Sequence, residues 1–304
     1  MKDLAGGVAV ITGGGSGFGR EFALIAAKAG MKVALADVQQ DALDAVSAEV
    51  RAAGAEVVAL KTDVSKADQV EALAVATMQQ FGAVHLVFNN AGVGSGGLVW
   101  ENSLADWDWV LGVNLYGVIH GIRSFVPRML ALGKKDPSYR GHIVNTASMA
   151  GLLTAPNMGI YNVSKHAVVA LTETLYQDLT LMDAPIGASV LCPYFVPTGI
   201  SNSHRNAPSK IAAEGQTASQ RAAALISSKA VSSGKVTAQD VAERTFHAIR
   251  DNQFYIYSHP QALGNVQTRM EDIVTMRNPS DPFKARPDLR ERLRDAIHQA
   301  EKAG

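Results

Sequence analysis

Cysteine is all but missing. Cys192 is the single one in 304 residues, which excludes an internal disulfide and fits a reducing compartment. Neither sign of charge is in surplus. Lys plus Arg and Asp plus Glu number 28 each, for a formal net charge of zero, so there is no bulk attraction to nucleic acid or anionic membrane. Long apolar runs are absent too: charges interrupt each one well short of the ~18 residues that a spanning helix needs. The opening Met1-Lys2-Asp3-Leu4-Ala5-Gly6-Gly7 lacks the apolar stretch of a secretory signal. The eight histidines are scattered without metal-ligand spacing. These absences predict a cytoplasmic chain with no metal and no nucleic-acid or membrane partner.

What is present is ordinary globular material. The chain is 47% hydrophobic, with 27 glycines, ample for a buried core. Neither an internal repeat nor an interdomain linker is visible, so residues 1–304 read as one domain. Within it, 1–198 carry the alternating strand and helix pattern, and 199–304 follow as an extension of the same domain whose opening stretch, rich in Ser, Ala, Asn and Gln, has the mobile composition that a closing lid needs.

The order of elements carries the fold. Val8-Ala9-Val10-Ile11 reads as a buried strand, and a glycine-rich turn, Thr12-Gly13-Gly14-Gly15-Ser16-Gly17-Phe18-Gly19, leads into an amphipathic helix from Arg20 to Lys28. Strands follow at 32–36, 56–60, 84–88, 142–147, 186–191 and 254–257. Helical patterns lie between them at 40–53, 66–81, 104–132 and from Tyr161 onward. Strands separated by helices of this length pair in parallel with crossovers on both faces. The expected fold class is therefore α/β: a doubly wound parallel sheet of about seven strands in an α/β/α sandwich. Gly133 to Arg140 is polar and turn-rich and is expected to be a surface excursion. Thr237 is placed to cap a helix through Arg250, and further helices are expected at 265–276 and 287–302.

The chemistry-bearing stretches lie along this frame. Glycines permit tight turns and close backbone approach, and a diphosphate can sit against the first N–H groups of the following helix. Asp37 ends the second strand roughly 20 residues beyond the glycine loop, where a carboxylate can accept hydrogen bonds from an adenosine ribose and repel a 2′-phosphate. No basic residue within Gly13–Gly19 offsets that repulsion, so NAD is favoured over NADP. Tyr161 and Lys165 are four apart on a helix and share a face. An ammonium beside a phenol favours the phenolate, so Lys165 is expected to lower the Tyr161 pKa. Such a tyrosine can exchange a proton with an alcohol or carbonyl. Ser148 ends the fifth strand, where its hydroxyl can donate to a substrate oxygen that gains negative charge. A hydrolase use of Ser148 lacks its Gly-x-Ser-x-Gly frame.

Taken together, Thr12-Gly13-x-x-x-Gly17-x-Gly19, Asn89-Asn90-Ala91-Gly92 and Tyr161-x-x-x-Lys165 resemble the short-chain dehydrogenases/reductases over Val8 to Thr198. The resemblance implies a catalytic set of Asn114, Ser148, Tyr161 and Lys165. It implies cofactor contacts from Gly13, Ser16, Gly17, Phe18, Gly19, Asp37, Asp63, Val64, Asn90, Ala91, Gly92, Tyr161, Lys165, Pro193, Val196 and Thr198. Asn114 would perturb its helix and hold a water behind Lys165. Tyr194 stands where the family usually has glycine, and its ring is expected to narrow the pocket. The segment 199–235 would cover the substrate. The implied activity is hydride transfer between NAD(H) and a secondary alcohol or ketone, and the implied assembly is a homodimer or homotetramer. Tyr194, Phe195 and Trp100 hint at an apolar or aromatic substrate. The rivals are an NADP-linked carbonyl reductase and a nucleotide-binding regulator without turnover.

Overall fold

Seven parallel strands form one sheet in a computed structural model that describes residues 4–302. In chain order they are β1 (Val8–Thr12), β2 (Lys32–Asp37), β3 (Val57–Lys61), β4 (Leu86–Asn89), β5 (Gly141–Thr146), β6 (Ile186–Cys192) and β7 (Tyr255–Tyr257). The spatial order is β3-β2-β1-β4-β5-β6-β7. The order reverses between β1 and β4, which opens a crevice beyond the carboxyl ends of the strands. Met1–Asp3 of the opening segment, and the last two positions of the 1–304 reading, lie outside the described residues.

Helices cover both faces, as the alternating pattern requires. Helices α1 (Gly17–Lys28), α2 (Gln40–Ala52) and α9 (Ala238–Asp251) pack on one side, and α3 (Ala67–Phe81), α5 (Gly117–Lys135) and α6 (Gly159–Leu181) on the other. The first layer is pinned by Phe22, Phe88 and Phe246. Their ring centroids lie 4.5 Å (Phe22–Phe88) and 5.6 Å (Phe88–Phe246) apart, and all three are fully buried. Truncating any one would remove roughly 3–5 kcal/mol, a large share of a typical total of about 5–15. As expected, Thr237 caps α9 in a reciprocal box with Asp240, which satisfies two N–H groups that the helix leaves open.

Polar residues also specify the interior. Asn89 on β4 and Asn145 on β5 are register partners. Asn89 Nδ2 donates to Asn145 Oδ1 at 2.8 Å, and Asn145 Nδ2 donates to Thr172 Oγ1 on α6 at 3.0 Å. Helix α5 clears this chain only because residue 121 is glycine. A Cβ there would lie 1.9 Å from Asn89 Oδ1.

The expected helix over 104–132 is divided. Helix α4 (Leu104–Leu111) starts on a Ser103/Asp106 capping box, then a π-helical turn spans Gly112–Tyr116 before α5 begins. The 133–140 surface excursion is smaller than the composition suggested. Gly133–Lys135 are the last turn of α5, and Tyr139 is buried with its hydroxyl donating to the Val84 carbonyl. Polar neighbours hid an anchoring aromatic. Beyond β6 come a 3₁₀ turn (Gly199–Asn206), α7 (Ser209–Glu214) and α8 (Ala218–Ser232); α10 (Leu263–Val274) and α11 (Pro287–Lys302) end the described chain. Helix α11 packs along α8, and Arg221 Nη2 donates to the Ala300 carbonyl at 2.6 Å. Among the described residues no helix is long and apolar enough to cross a membrane, and no group of histidine, cysteine, aspartate and glutamate could hold a metal.

Candidate active site

The glycine loop is shaped by contact with the end of β4. Gly13 has φ +63°, and a Cβ on it would lie 2.8 Å from the Ala91 Cα. At Gly19 a Cβ would lie 2.0 Å from the Gly13 carbonyl oxygen. Glycine is therefore required at both places. Thr12 Oγ1 accepts from the N–H groups of Asn90 (2.9 Å) and Ala91 (3.1 Å). Asn90 Nδ2 donates to the Thr12 carbonyl at 3.1 Å, and Asn90 Oδ1 accepts from Thr146 Oγ1 at 3.2 Å. The Asn90 amide thus ties the loop after β1 to the end of β5. Asp37 lies beside the loop, where Oδ2 accepts from Gly15 N at 2.9 Å and Oδ1 from Gln39 N at 3.0 Å. Asp63 accepts from Ser65 N at 2.9 Å, and the Val64 carbonyl faces His120 Nδ1 at 3.0 Å.

A short way along the same crevice stand Ser148, Tyr161 and Lys165. The Lys165 ammonium is buried, donates to the Thr146 carbonyl at 3.0 Å and lies 5.7 Å from the centroid of the Tyr161 ring. Ser148 Oγ donates to the Pro193 carbonyl at 3.3 Å and accepts from Ala150 N at 3.1 Å. The one-turn spacing does bring phenol and ammonium into a single cleft. Its expected electrostatic outcome, however, is not present in the chain alone. Burial pushes the Tyr161 phenol above its usual value, and a hydrogen bond with Ser148 only partly opposes this. Burial likewise pulls the Lys165 ammonium down to about 8. Both shifts share a cause: desolvation disfavours phenolate and ammonium alike, and the ammonium's hydrogen bond goes to a carbonyl.

Asn114 is wholly buried in the π-helical turn, so the expected disturbance of the helix is there. Its Oδ1 accepts from Val93 N at 2.8 Å, and its Nδ2 donates to Val93 O at 3.0 Å and Ser164 Oγ at 3.2 Å. Gly92 lies between Asn114 and Lys165: a Cβ there would be 3.4 Å from Asn114 Oδ1 and 3.5 Å from Lys165 Nζ. Asn114 therefore fixes the path of the Gly92–Val93 backbone.

One cleft of about 1910 Å³ connects these groups. That exceeds the roughly 300–1,000 Å³ of a usual small-molecule pocket and leaves room for a dinucleotide and a second molecule. All the cofactor candidates line it except Gly19, which lies under the loop; Asn114 sits behind the wall. Thr198 packs on the loop, its Cβ 3.3 Å from where a Gly17 Cβ would stand. The Tyr194 ring is at the wall, 4.5 Å from Phe195 and 5.8 Å from His259 between centroids. Its N–H donates to Ser258 Oγ at 2.8 Å, so the tyrosine in the glycine position is held by the turn after β7. Trp100, read from sequence as a pocket aromatic, is 79% exposed and outside the cleft. Trp109 on α4 lines it instead. Helical phase could have separated the two, since Trp109 shares a face with Val113 and Trp100 precedes the helix.

Residues 7–209 match the sequence profile of the short chain dehydrogenase family. A CLA biosynthesis dehydrogenase/reductase of Lactiplantibacillus plantarum is 32% identical over 279 residues, 90% of this chain and 96% of that one. A C alpha-dehydrogenase of a Sphingobium species is 33% identical over 296 residues, 94% and 92% of the two chains. Among solved structures, a short chain dehydrogenase/reductase from Burkholderia phymatum in complex with NAD superposes with a TM-score of 0.89. It is 55% identical, across 93% of this chain and 99% of that one. The chain belongs to the short-chain dehydrogenase/reductase family of oxidoreductases.

Proposed function

We propose that the protein transfers a hydride between NAD(H) and a secondary alcohol or its ketone, with an apolar or aromatic substrate. The observation that carries this reading is the meeting of Ser148, Tyr161 and Lys165 in the cleft that the glycine loop and Asp37 also line. The residues suit a dinucleotide. The loop approaches as closely as glycine allows, and the Ser16 side chain makes no cap bond at the start of α1. Each Asp37 oxygen has one backbone partner and keeps a lone pair for a ribose hydroxyl. The carboxylate disfavours a 2′-phosphate, so NAD is preferred over NADP.

When bound, the nicotinamide accepts or gives the hydride, and its oxidised form brings a positive charge. The chain's own groups handle the proton and the geometry. In the oxidative direction the Tyr161 phenolate accepts the alcohol O–H proton as the carbinol carbon loses hydride and becomes the carbonyl. Ser148 donates to the substrate oxygen and orients it. Lys165 stabilises the phenolate that burial otherwise disfavours. Asn114 keeps the Gly92–Val93 backbone level with Lys165 and orients a water behind it. Val93, Met149, Leu153, Trp109, Tyr194 and Phe195 give the substrate end an apolar and aromatic wall. Exposed Tyr116, Val163, Leu181 and Met182, in and beside α6 and the turn before α5, support pairing of copies into a dimer or tetramer.

A panel of aliphatic and aryl secondary alcohols, followed by absorbance of the reduced cofactor, tests the reading. Tyr161→Phe should lower kcat by roughly 10²–10⁴-fold while NADH still binds. Near-normal turnover in that variant would remove Tyr161 from the reaction.

A further inference from the structure

No residue of the glycine loop is basic, and Arg20, just past it, is occupied by Glu49 and Glu21. A diphosphate held there would meet backbone N–H groups but no side-chain cation from its own segment. The fold brings one from elsewhere. Arg205 sits in the 3₁₀ turn at the root of the lid and reaches across the cleft. Its Nε and Nη2 both donate to Gln39 Oε1, at 3.1 and 2.9 Å. Its Nη1 donates to the carbonyls of Asn202 (2.8 Å) and Gly199 (3.3 Å). All of these acceptors are neutral. A Cβ built on Gly199 would lie 3.6 Å from Arg205 Nη2 and 3.8 Å from Ser16 Oγ. The guanidinium and the glycine-loop serine therefore close on the same lid residue, and Ser16, Asp37, Gln39 and Arg205 line one cleft.

We propose that Arg205 is a cofactor-binding residue delivered by the lid, whose guanidinium takes the diphosphate of the dinucleotide. The exchange is favourable because the guanidinium trades an ion–dipole contact with a neutral amide for an ion pair in which both partners are charged and two parallel N–H bonds can form. The planar fork suits two oxygens of one phosphate. The contact ties lid closure to the presence of the anion. This inference rests on the dinucleotide reading of the cleft, and ADP and adenosine separate the two claims because neither requires turnover.

Calorimetric titration of the full chain with each probe is the test. Arg205→Ala should weaken ADP binding by about tenfold or more and leave adenosine within about twofold, with Arg205→Lys between wild type and alanine. ADP should also slow tryptic cleavage at Lys210, Arg221 and Lys229 in the wild type but not in Arg205→Ala. Unchanged ADP affinity in a variant that melts like the wild type would overturn the assignment. So would equal losses for ADP and adenosine, because a general loosening of the lid does not discriminate between them. A wild type that bound neither ADP nor NADH would overturn the dinucleotide reading and this inference with it.

Discussion

Replacing Asn114 with leucine tests how the floor of the cleft is held. The two side chains share the same branched shape and number of heavy atoms, so the change removes hydrogen bonds without opening a cavity. Asn114 is wholly buried and satisfies both the N–H and the C=O of Val93. Leucine leaves both groups unpaired, at roughly 1–3 kcal/mol each, so the expected loss is about 2–6 kcal/mol. For a chain of this size that is a fall in Tm on the order of 3–10 °C. Because Gly92 lies between Asn114 and Lys165, the freed backbone should also move against the cofactor, and the Kd for NADH should rise several-fold. Scanning calorimetry and NADH fluorescence read the two effects. Asn114→Ala adds a cavity and should be at least as damaging. A leucine variant that melted with the wild type and bound NADH equally well would refute the reasoning, since it would mean that Val93 finds other partners.

Other outcomes follow from burial and charge. Lys165 has its pKa pulled from 10.5 to about 8 by burial. Between those values the unfolded chain holds a proton that the folded chain releases, so stability should rise with pH across that window; Lys165→Met should flatten the rise in denaturant melts. His142 is pulled from 6.5 to about 3 by burial. Stability should accordingly fall as pH drops through that range, and a wild-type melt that stayed constant from pH 6 to 4 would contradict it. Asp37→Ser should shift the ratio of kcat/KM for NADP over NAD upward by at least about tenfold, measured on one substrate. The Cys192 thiol is buried and pushed up to about 12, so a thiol reagent should label the chain in denaturant and leave the native protein unlabelled.

The strands, the glycine turn and the acid after β2 were legible because each rests on local pattern: an apolar run, a residue without Cβ, a carboxylate at a strand end. Tyr161 and Lys165 were legible as a pair because four residues make about one helical turn. What escaped depends on contacts between distant segments. Arg205 and Gln39 meet only when the chain after β6 folds back over the loop after β2. Tyr139 looked exposed because its neighbours are polar, yet its ring is buried beside His85. The direction of the Tyr161 shift was missed for a related reason. Spacing reports who is near, whereas desolvation depends on everything packed around the pair.

The Asn89–Asn145–Thr172 chain has a consequence for the crevice as a whole. A purely aliphatic contact between β4 and β5 would tolerate a small slide, since one branched methyl serves much like the next. Paired carboxamides do not, because slippage by a single position would set Val144 opposite Asn89 or Phe88 opposite Asn145 and break the bond between the two amides. The segment that continues from β4 into Asn90-Ala91-Gly92 and the one that continues from β5 to Ser148 therefore keep a common level. The ledge under one half of the cleft and the hydroxyl in the other are keyed together by three buried side chains.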